Sequence, residues 1–364
     1  MSESRFRAAI VGCGRMAHGH ANAYNRDPRI DLVACADIFE DAAARFAGEF
    51  NIAAQYTDFT EMIAREQPDI VSICTHHQLH APMTIETARI GSPKAVLCEK
   101  PIALDLESAD AMIAACEASG TLLLIGHQRR FGGQYVAAQK AVASGRLGDV
   151  LFVEAFGHPR STLLVDSTHT IDLVRFFLGD PVGEWVIGQI DAREHRSAWG
   201  QQIEDSALGW IGLSNGARVL LGAGSVDLPD GGRSIRISPK PITGGTYHRI
   251  VVHGSVARLE IDGDAPNDGG SLVRVHTGSE VEVLYSAADF ERDAAVTAVD
   301  LEVAAMVDCL EDPGLTHPLG ARSARDTLEI LLAIYESSRI RQLVPLPMAV
   351  RDNPLITMLN EGIV

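Results

Sequence analysis

Positive charge is scarce in this 364-residue chain. Its 31 lysines and arginines face 48 aspartates and glutamates, for a net charge of −17 with histidine neutral. A nucleic-acid surface needs a basic patch, and docking on anionic lipid needs clustered cations, so neither partner is expected. No apolar run reaches the roughly 20 residues of a membrane-spanning helix. Residues Met1 to Arg7 lack the apolar stretch of a secretory signal, and a cytoplasmic location is expected. No C-x-x-C pair occurs among Cys13, Cys35, Cys74, Cys98, Cys116 and Cys309, and four of these end or sit within apolar strand-like runs. They read as small buried residues in a reducing compartment, not as a disulfide or zinc framework. Low-complexity segments and internal repeats are absent too.

Apolar residues make up 46% and charged residues 22%, values of a soluble globular protein too long for one ordinary core. Two domains are expected, residues 1–126 and 127–364. In the first, short apolar runs alternate with helix-like stretches. The runs are Ala8–Val11, Leu32–Ala36, Asp69–Cys74, Ala95–Leu97 and Thr121–Ile125. That alternation implies an α/β fold with a parallel sheet covered on both faces. After Ile125 the pattern changes. Helices are expected over Phe131–Ser144 and Thr168–Leu178. From about Trp185 to Tyr285, strand-like runs are separated by Gly/Asn/Asp turns. Helices over Ala294–Leu310 and Gly320–Ser338 close the chain. This half reads as an α+β domain built on a large, mostly antiparallel open sheet.

Gly12-Cys13-Gly14-Arg15-Met16-Ala17 matches the G-x-G-x-x-G/A dinucleotide fingerprint, between a strand and a helix as that pattern requires. Gly12 permits the tight turn, Gly14 lets a diphosphate approach the backbone, and Ala17 lets helix and sheet pack closely. The helix N-terminus offers its free N–H groups to the phosphates. Asp37 ends the second strand, where a carboxylate accepts hydrogen bonds from ribose hydroxyls and repels a 2′-phosphate. NAD is therefore favoured over NADP; the competing role for Asp37 is a cap on the next helix. A further signal is Cys98-Glu99-Lys100-Pro101. A lysine at the tip of a buried strand is costly without a partner or a function, and the proline holds it extended. On these residues alone, an ion pair with Glu99 and a functional lysine are equal readings.

The arrangement resembles the Gfo/Idh/MocA oxidoreductases, a family that includes glucose–fructose oxidoreductase and inositol dehydrogenase. The resemblance rests on the glycine turn, Ile73-Cys74-Thr75, Leu79-His80, Val96 to Pro101, and Gly126-His127-Gln128-Arg129-Arg130-Phe131. Val252-His253-Gly254-Ser255 and Ala333-Ile334-Tyr335-Glu336-Ser337-Ser338 extend it over nearly the whole chain. It implies that Lys100, within the Glu99-Lys100-Pro101 segment, contacts nicotinamide ribose and substrate across a cis Lys100–Pro101 peptide. It implies a catalytic His169 with Asp172 three residues later, substrate contact by Arg129, His169 and Asp172, and a cofactor site including Thr75 and Glu99. Arg129 has a second reading, a salt bridge within its domain. Two departures stand out. Val165 occupies the place of a common aspartate, and Asp166 stands one residue on; on a helix Asp166, His169 and Asp172 would span an arc of about 120°. Thr75-His76-His77-Gln78 replaces a common Thr-Pro-Asn. There His76 and His80 are expected near the cofactor, with hydrogen-bonded filling of space as the alternative. Without a carboxylate partner, a metal site of His76, His77 and His80 is not expected.

The implied reaction is hydride transfer between NAD and a secondary alcohol of a sugar or polyol. His169 serves as acid/base, Lys100 stabilises the oxygen, and Asp166 orients the histidine or binds a hydroxyl. Substrate pocket residues are expected from His158 to Leu164, at Trp199 and near Tyr247 and His248. Two alternatives remain: glycoside cleavage through transient oxidation by tightly held NAD, and a non-catalytic ligand sensor. The resemblance also implies a homodimer or homotetramer formed through the C-terminal sheet.

Overall fold

Strand and helix alternate as the apolar runs dictate. The computed structural model describes residues 5–157, 162–226, 235–236, 248–265 and 270–364. These form two compact units: Met1–Gln128 with Val296–Arg325, and Arg129–Ala295 with Asp326–Val364.

The first unit opens with β1 (Phe6–Val11), α1 (Arg15–Arg26), β2 (Ile30–Ala36), α2 (Glu40–Phe50), β3 (Ala54–Tyr56) and α3 (Phe59–Glu66). There follow β4 (Ile70–Ile73), α4 (His80–Gly91), β5 (Ala95–Cys98), α5 (Leu106–Ser119) and β6 (Leu122–Ile125). The six strands are parallel in the order β3-β2-β1-β4-β5-β6. Strands β4 and β5 are buried along their whole length, which explains their unbroken apolar sequences. The strand order reverses at β1/β4, and such a switch point opens a crevice beyond the strands' carboxyl ends. Both the glycine turn and Thr75 lie at this end.

In the second unit come α6 (Gly133–Ala143), β7 (Val150–Phe156), α7 (Thr168–Phe177), β8 (Gly183–Asp191) and a small ribbon of β9 (Ser197–Ala198) and β10 (Gln201–Gln202). The chain continues through β11 (Ser206–Leu213), β12 (Arg218–Val226), β13 (Ile235–Arg236), β14 (Arg249–Gly254), β15 (Arg258–Asp262), β16 (Val273–Thr277), β17 (Glu280–Tyr285) and α8 (Ala287–Asp293). The chain then returns to the first unit for α9 (Ala298–Glu311) and ends with α10 (Ala321–Ile340), β18 (Val344–Pro345) and α11 (Pro354–Glu361). The large sheet runs β17-β16-β15-β14-β7-β12-β11-β8-β18, with β13 beside β12. Among the described residues of this sheet, β7 and β12 pair in parallel and the other pairs are antiparallel.

The division at residue 127 needs one amendment, because Val296–Arg325 clusters with the first unit. Helix α9 carries Val303, Met306 and Val307, which share a buried cluster with Ala17, Ala21 and Tyr24 of α1. Arg26 meets Asp300 at 2.7 Å and Arg29 meets Asp308 at 2.6 Å. Helix α9 starts at Ala298 rather than Ala294 because Thr297 and Asp300 close a capping box. A last helix absent from the sequence reading, α11, is started by Asn353, whose side chain accepts from Leu355 N, with Pro354 following. No helix among the described residues is long and apolar enough to cross a membrane.

Candidate active site

The first unit brings most of the proposed cofactor residues to one edge of its sheet. Gly12 has φ +87°, and a Cβ there would lie 2.7 Å from Cys74 O and 2.9 Å from Thr75 Cγ2. Only glycine fits this crossing of β1 and β4. Gly14 is different: its ideal Cβ meets nothing within 4 Å, so the space above its backbone is open. Gly14 also precedes α1 and gives it no side-chain cap, leaving the first N–H groups of the helix for an anion. Arg15 is exposed, Met16 half-buried and Ala17 buried against the sheet. Asp37 ties the turn to β2. Its Oδ2 accepts from Cys13 N at 2.9 Å and its Oδ1 from Phe39 N at 3.0 Å. Each oxygen keeps a second lone pair. Phe39, not Asp37, is the cap residue of α2. Thr75 Oγ1 is buried without a hydrogen-bond partner among the described residues. An orphan hydroxyl beside an open glycine backbone and a free helix N-terminus fits a bound dinucleotide.

The Lys100–Pro101 peptide is cis, as the resemblance implied. Lys100 is half-buried just beyond β5, and its N–H donates to Glu99 Oε2 at 3.3 Å. Glu99 Oε1 accepts from His20 Nε2 at 3.1 Å. Burial opposes ionisation of Glu99, but the His20 hydrogen bond and the Lys100 charge outweigh it and lower its pKa. His80 is buried with Nδ1 2.7 Å from Pro101 O and Nε2 3.2 Å from Thr75 O. Both ring nitrogens thus face backbone carbonyls, bracing the two loops in which Thr75 and Lys100 lie. Burial lowers the pKa of His80. His77 is held down to about 3 by burial and by His80 and Lys100, so it is neutral at physiological pH. His76 is exposed.

The second unit assembles a second cluster on and around α7. A wide turn over Leu163–Ser167, with five-residue hydrogen-bond spacing, precedes the helix. Asp166 lies in this turn, so the arc of about 120° drawn for a regular helix does not apply to it. His169 is buried on α7, its ring edge-on to that of His248 at 6.0 Å. His248 is itself buried, with φ +54°, and its Nδ1 lies 2.7 Å from Thr170 Oγ1. Asp172 is held by Arg130 through two bonds of 2.8 Å, and Arg130 also binds Asp180 at 2.6 and 2.9 Å. A carboxylate gripped by a buried guanidinium has the geometry of a structural ion pair, beside the substrate contact that the resemblance implies for Asp172. Arg129 likewise pairs with Asp264 at 2.6, 3.0 and 3.1 Å, the within-domain reading of this residue. Burial opposes ionisation of Asp264, but the charges of His248 and Arg129 bring its pKa to about 2. Trp199 is exposed in the turn between β9 and β10. His158 and Tyr247 lie outside the described residues. Asp264, His20 and the buried Glu204, whose carboxylate takes Leu163 N and Tyr335 OH, carry no motif that would reveal them.

Residues 6–127 match the model of the oxidoreductase family with an NAD-binding Rossmann fold. Over 273 residues the chain is 31% identical to an inositol 2-dehydrogenase of Rhizobium meliloti, spanning 71% of this chain and 76% of that one. The chain belongs to the Gfo/Idh/MocA oxidoreductase family. Its cofactor is NAD, as the NAD-binding Rossmann fold of that family indicates. Among other Gfo/Idh/MocA relatives, D-apiose dehydrogenase of Paraburkholderia graminis is 32% identical over 192 residues, 48% of this chain and 50% of that one. The fold matches myo-inositol 2-dehydrogenase from Lactobacillus plantarum with a TM-score of 0.73 at 22% identity, covering 94% of this chain and 99% of that one.

Proposed function

We propose that this Gfo/Idh/MocA oxidoreductase transfers a hydride between NAD and a secondary alcohol of a sugar or polyol, and that Lys100 and His169 carry the chemistry. The observation that carries this reading is the strand tip itself. A hydrogen bond to the buried, ionised Glu99 holds the backbone of a half-buried lysine at the same carboxyl end of the sheet as the open glycine turn. The identity to an inositol dehydrogenase supports the substrate class. When bound, NAD supplies the hydride acceptor. The backbone of Gly12 to Ala17 binds its diphosphate, Asp37 takes the ribose hydroxyls and disfavours a 2′-phosphate, and Thr75, Glu99 and His80 shape the nicotinamide end. His169 takes the proton from the substrate hydroxyl, since imidazole titrates near neutral pH. Lys100 donates a hydrogen bond to the same oxygen and stabilises the charge that develops there. Asp166, in the wide turn before α7, binds a substrate hydroxyl or orients His169. Assembly as a homodimer or homotetramer through the large sheet belongs to the same reading. It is supported by the exposed Leu208 and Trp210 on β11 and Ile187 on β8.

The test is a panel of inositols, pentoses and hexoses assayed for NADH formation with wild type, Lys100→Ala and His169→Asn. Both variants should fold and bind NAD, and both should lose turnover by roughly a thousandfold or more, since an oxygen-stabilising donor and a general base each contribute on this scale. Wild-type turnover in Lys100→Ala on the true substrate would overturn the assignment.

A further inference from the structure

The core of the first unit holds a line of polar groups that packing alone does not require. Tyr24 and His20 of α1 and Ser72 of β4 are each 0% exposed, and Glu99 is 5% exposed. Tyr24 Oη lies 2.5 Å from Ser72 Oγ, Ser72 Oγ lies 2.8 Å from His20 Nδ1, and His20 Nε2 lies 3.1 Å from Glu99 Oε1. The second oxygen of Glu99 takes the Lys100 N–H. The acceptor-only carboxylate sets the direction of the line. His20 donates from Nε2, so its Nδ1 accepts from Ser72, whose oxygen in turn accepts from Tyr24. In this sense each group is satisfied, and a buried network of this kind is rigid when complete and costly when broken.

The other charged or titratable groups acting on Glu99 come from separate elements. They are Lys100, His80 of α4, the thiols of Cys74 and Cys98, and Glu302 of α9. Glu302 is buried, its Oε1 lacks a partner among the described residues, and burial and the Glu99 charge raise its pKa well above the ordinary range. That direction favours the protonated form of Glu302. Glu99 is the carboxyl group whose pKa is lowered, and His20 is the side chain that hydrogen-bonds it.

We propose that His20 is a positioning residue for Lys100: held by Ser72 and Tyr24, it fixes the Glu99 carboxylate that anchors the Lys100 backbone. This rests on the reading of Lys100 as the oxygen-stabilising group. Loss of the anchor lets the strand tip shift, and displacement of a catalytic group by about 1 Å costs on the order of a hundredfold in rate.

The experiment compares His20→Phe, His20→Gln and Ser72→Ala in the full-length protein. It measures kcat and its pH dependence, KM for the most rapidly oxidised polyol of the panel, NAD affinity by calorimetry, and Tm. His20→Phe should lower kcat roughly ten- to a hundredfold and displace the pH profile while leaving NAD affinity within about twofold. His20→Gln, which can still donate to Glu99, should recover most of that loss. If His20→Phe does not fold, Ser72→Ala decides, with kcat reduced and the profile displaced. Folded His20→Phe or Ser72→Ala with wild-type kcat and an unmoved pH profile would overturn the proposal, whatever the change in Tm. Lys100→Ala separates the two readings. Activity in that variant removes the role of Lys100 itself, whereas an inactive Lys100→Ala beside fully active His20 variants removes only the role of His20.

Discussion

The two clusters of candidate residues differ in how their charges are spent. At the carboxyl ends of the first unit's strands, the buried carboxylate of Glu99 accepts from His20 and from the Lys100 N–H. Around α7 of the second unit, Asp172 and Arg129 are engaged in short ion pairs with Arg130 and Asp264. The first cluster is organised to present a cation and a nucleotide cradle. The second surrounds one buried histidine, His169, with groups that lock its helix and loops. A motif match identifies residue types in both, but only the three-dimensional packing shows what holds each group in place.

That contrast can be broken by substitution, beginning with the largest effect. Gly12→Ala places a Cβ within 2.7 Å of Cys74 O at a left-handed backbone position. It should reduce NAD affinity by a hundredfold or more, on the order of the 3 kcal/mol that such strain and displacement can cost, as read by calorimetry. Asp172→Asn in the second unit should act on stability instead. Breaking one partner of a buried pair costs about 3–5 kcal/mol, so Tm should fall by many degrees while KM in the folded protein changes little. A large rise in KM at unchanged Tm would show that Asp172 does touch substrate.

Two smaller effects follow from carboxyl groups displaced in opposite directions. Asp264, held near 2 against an ordinary 3.8, contributes stability that is complete above about pH 4 and lost as pH falls toward 2. Asp264→Asn should therefore flatten the acid limb of the Tm curve. Glu302 has its pKa raised, so the folded state holds the proton that the unfolded chain releases above about 4.5. Stability must then fall as pH rises from there, by at most about 1.4 kcal/mol per pH unit for one group. Glu302→Gln should remove that slope above about pH 5 at little cost at pH 5. An unchanged slope would show that Glu302 finds a compensating partner.

Much of the first unit was legible because its signals are local. The glycine turn, the strand-ending Asp37 and the Glu99-Lys100-Pro101 tip each occupy a few consecutive residues whose backbone requirements are written in glycine and proline. The boundary amendment was not local. Helix α9 joins the first unit because its apolar face meets α1 nearly 300 residues earlier, and nothing in a helical period names its partner. The same limit explains Arg129 and Asp264, which are 135 residues apart, and His20 and Glu99, which are 79 apart. Asp166 was misphased for a different reason: the helix was extended back through a wide turn that periodicity does not mark. The His169–Asp172 spacing was read correctly as one helix, yet the identity of Arg130 as the aspartate's partner emerges only from packing.

The central claim is that Lys100 acts on the reacting oxygen and does not merely neutralise Glu99. The most direct measurement is kcat and NAD affinity of Lys100→Met, which keeps much of the side chain's length and apolar bulk but removes its charge and donors. The account predicts a folded protein that binds NAD with near-wild-type affinity and turns over sugar or polyol at least a thousandfold more slowly, as expected for loss of an oxygen-stabilising donor. Near-wild-type kcat with a lowered Tm would contradict it and leave Lys100 as a structural partner of Glu99.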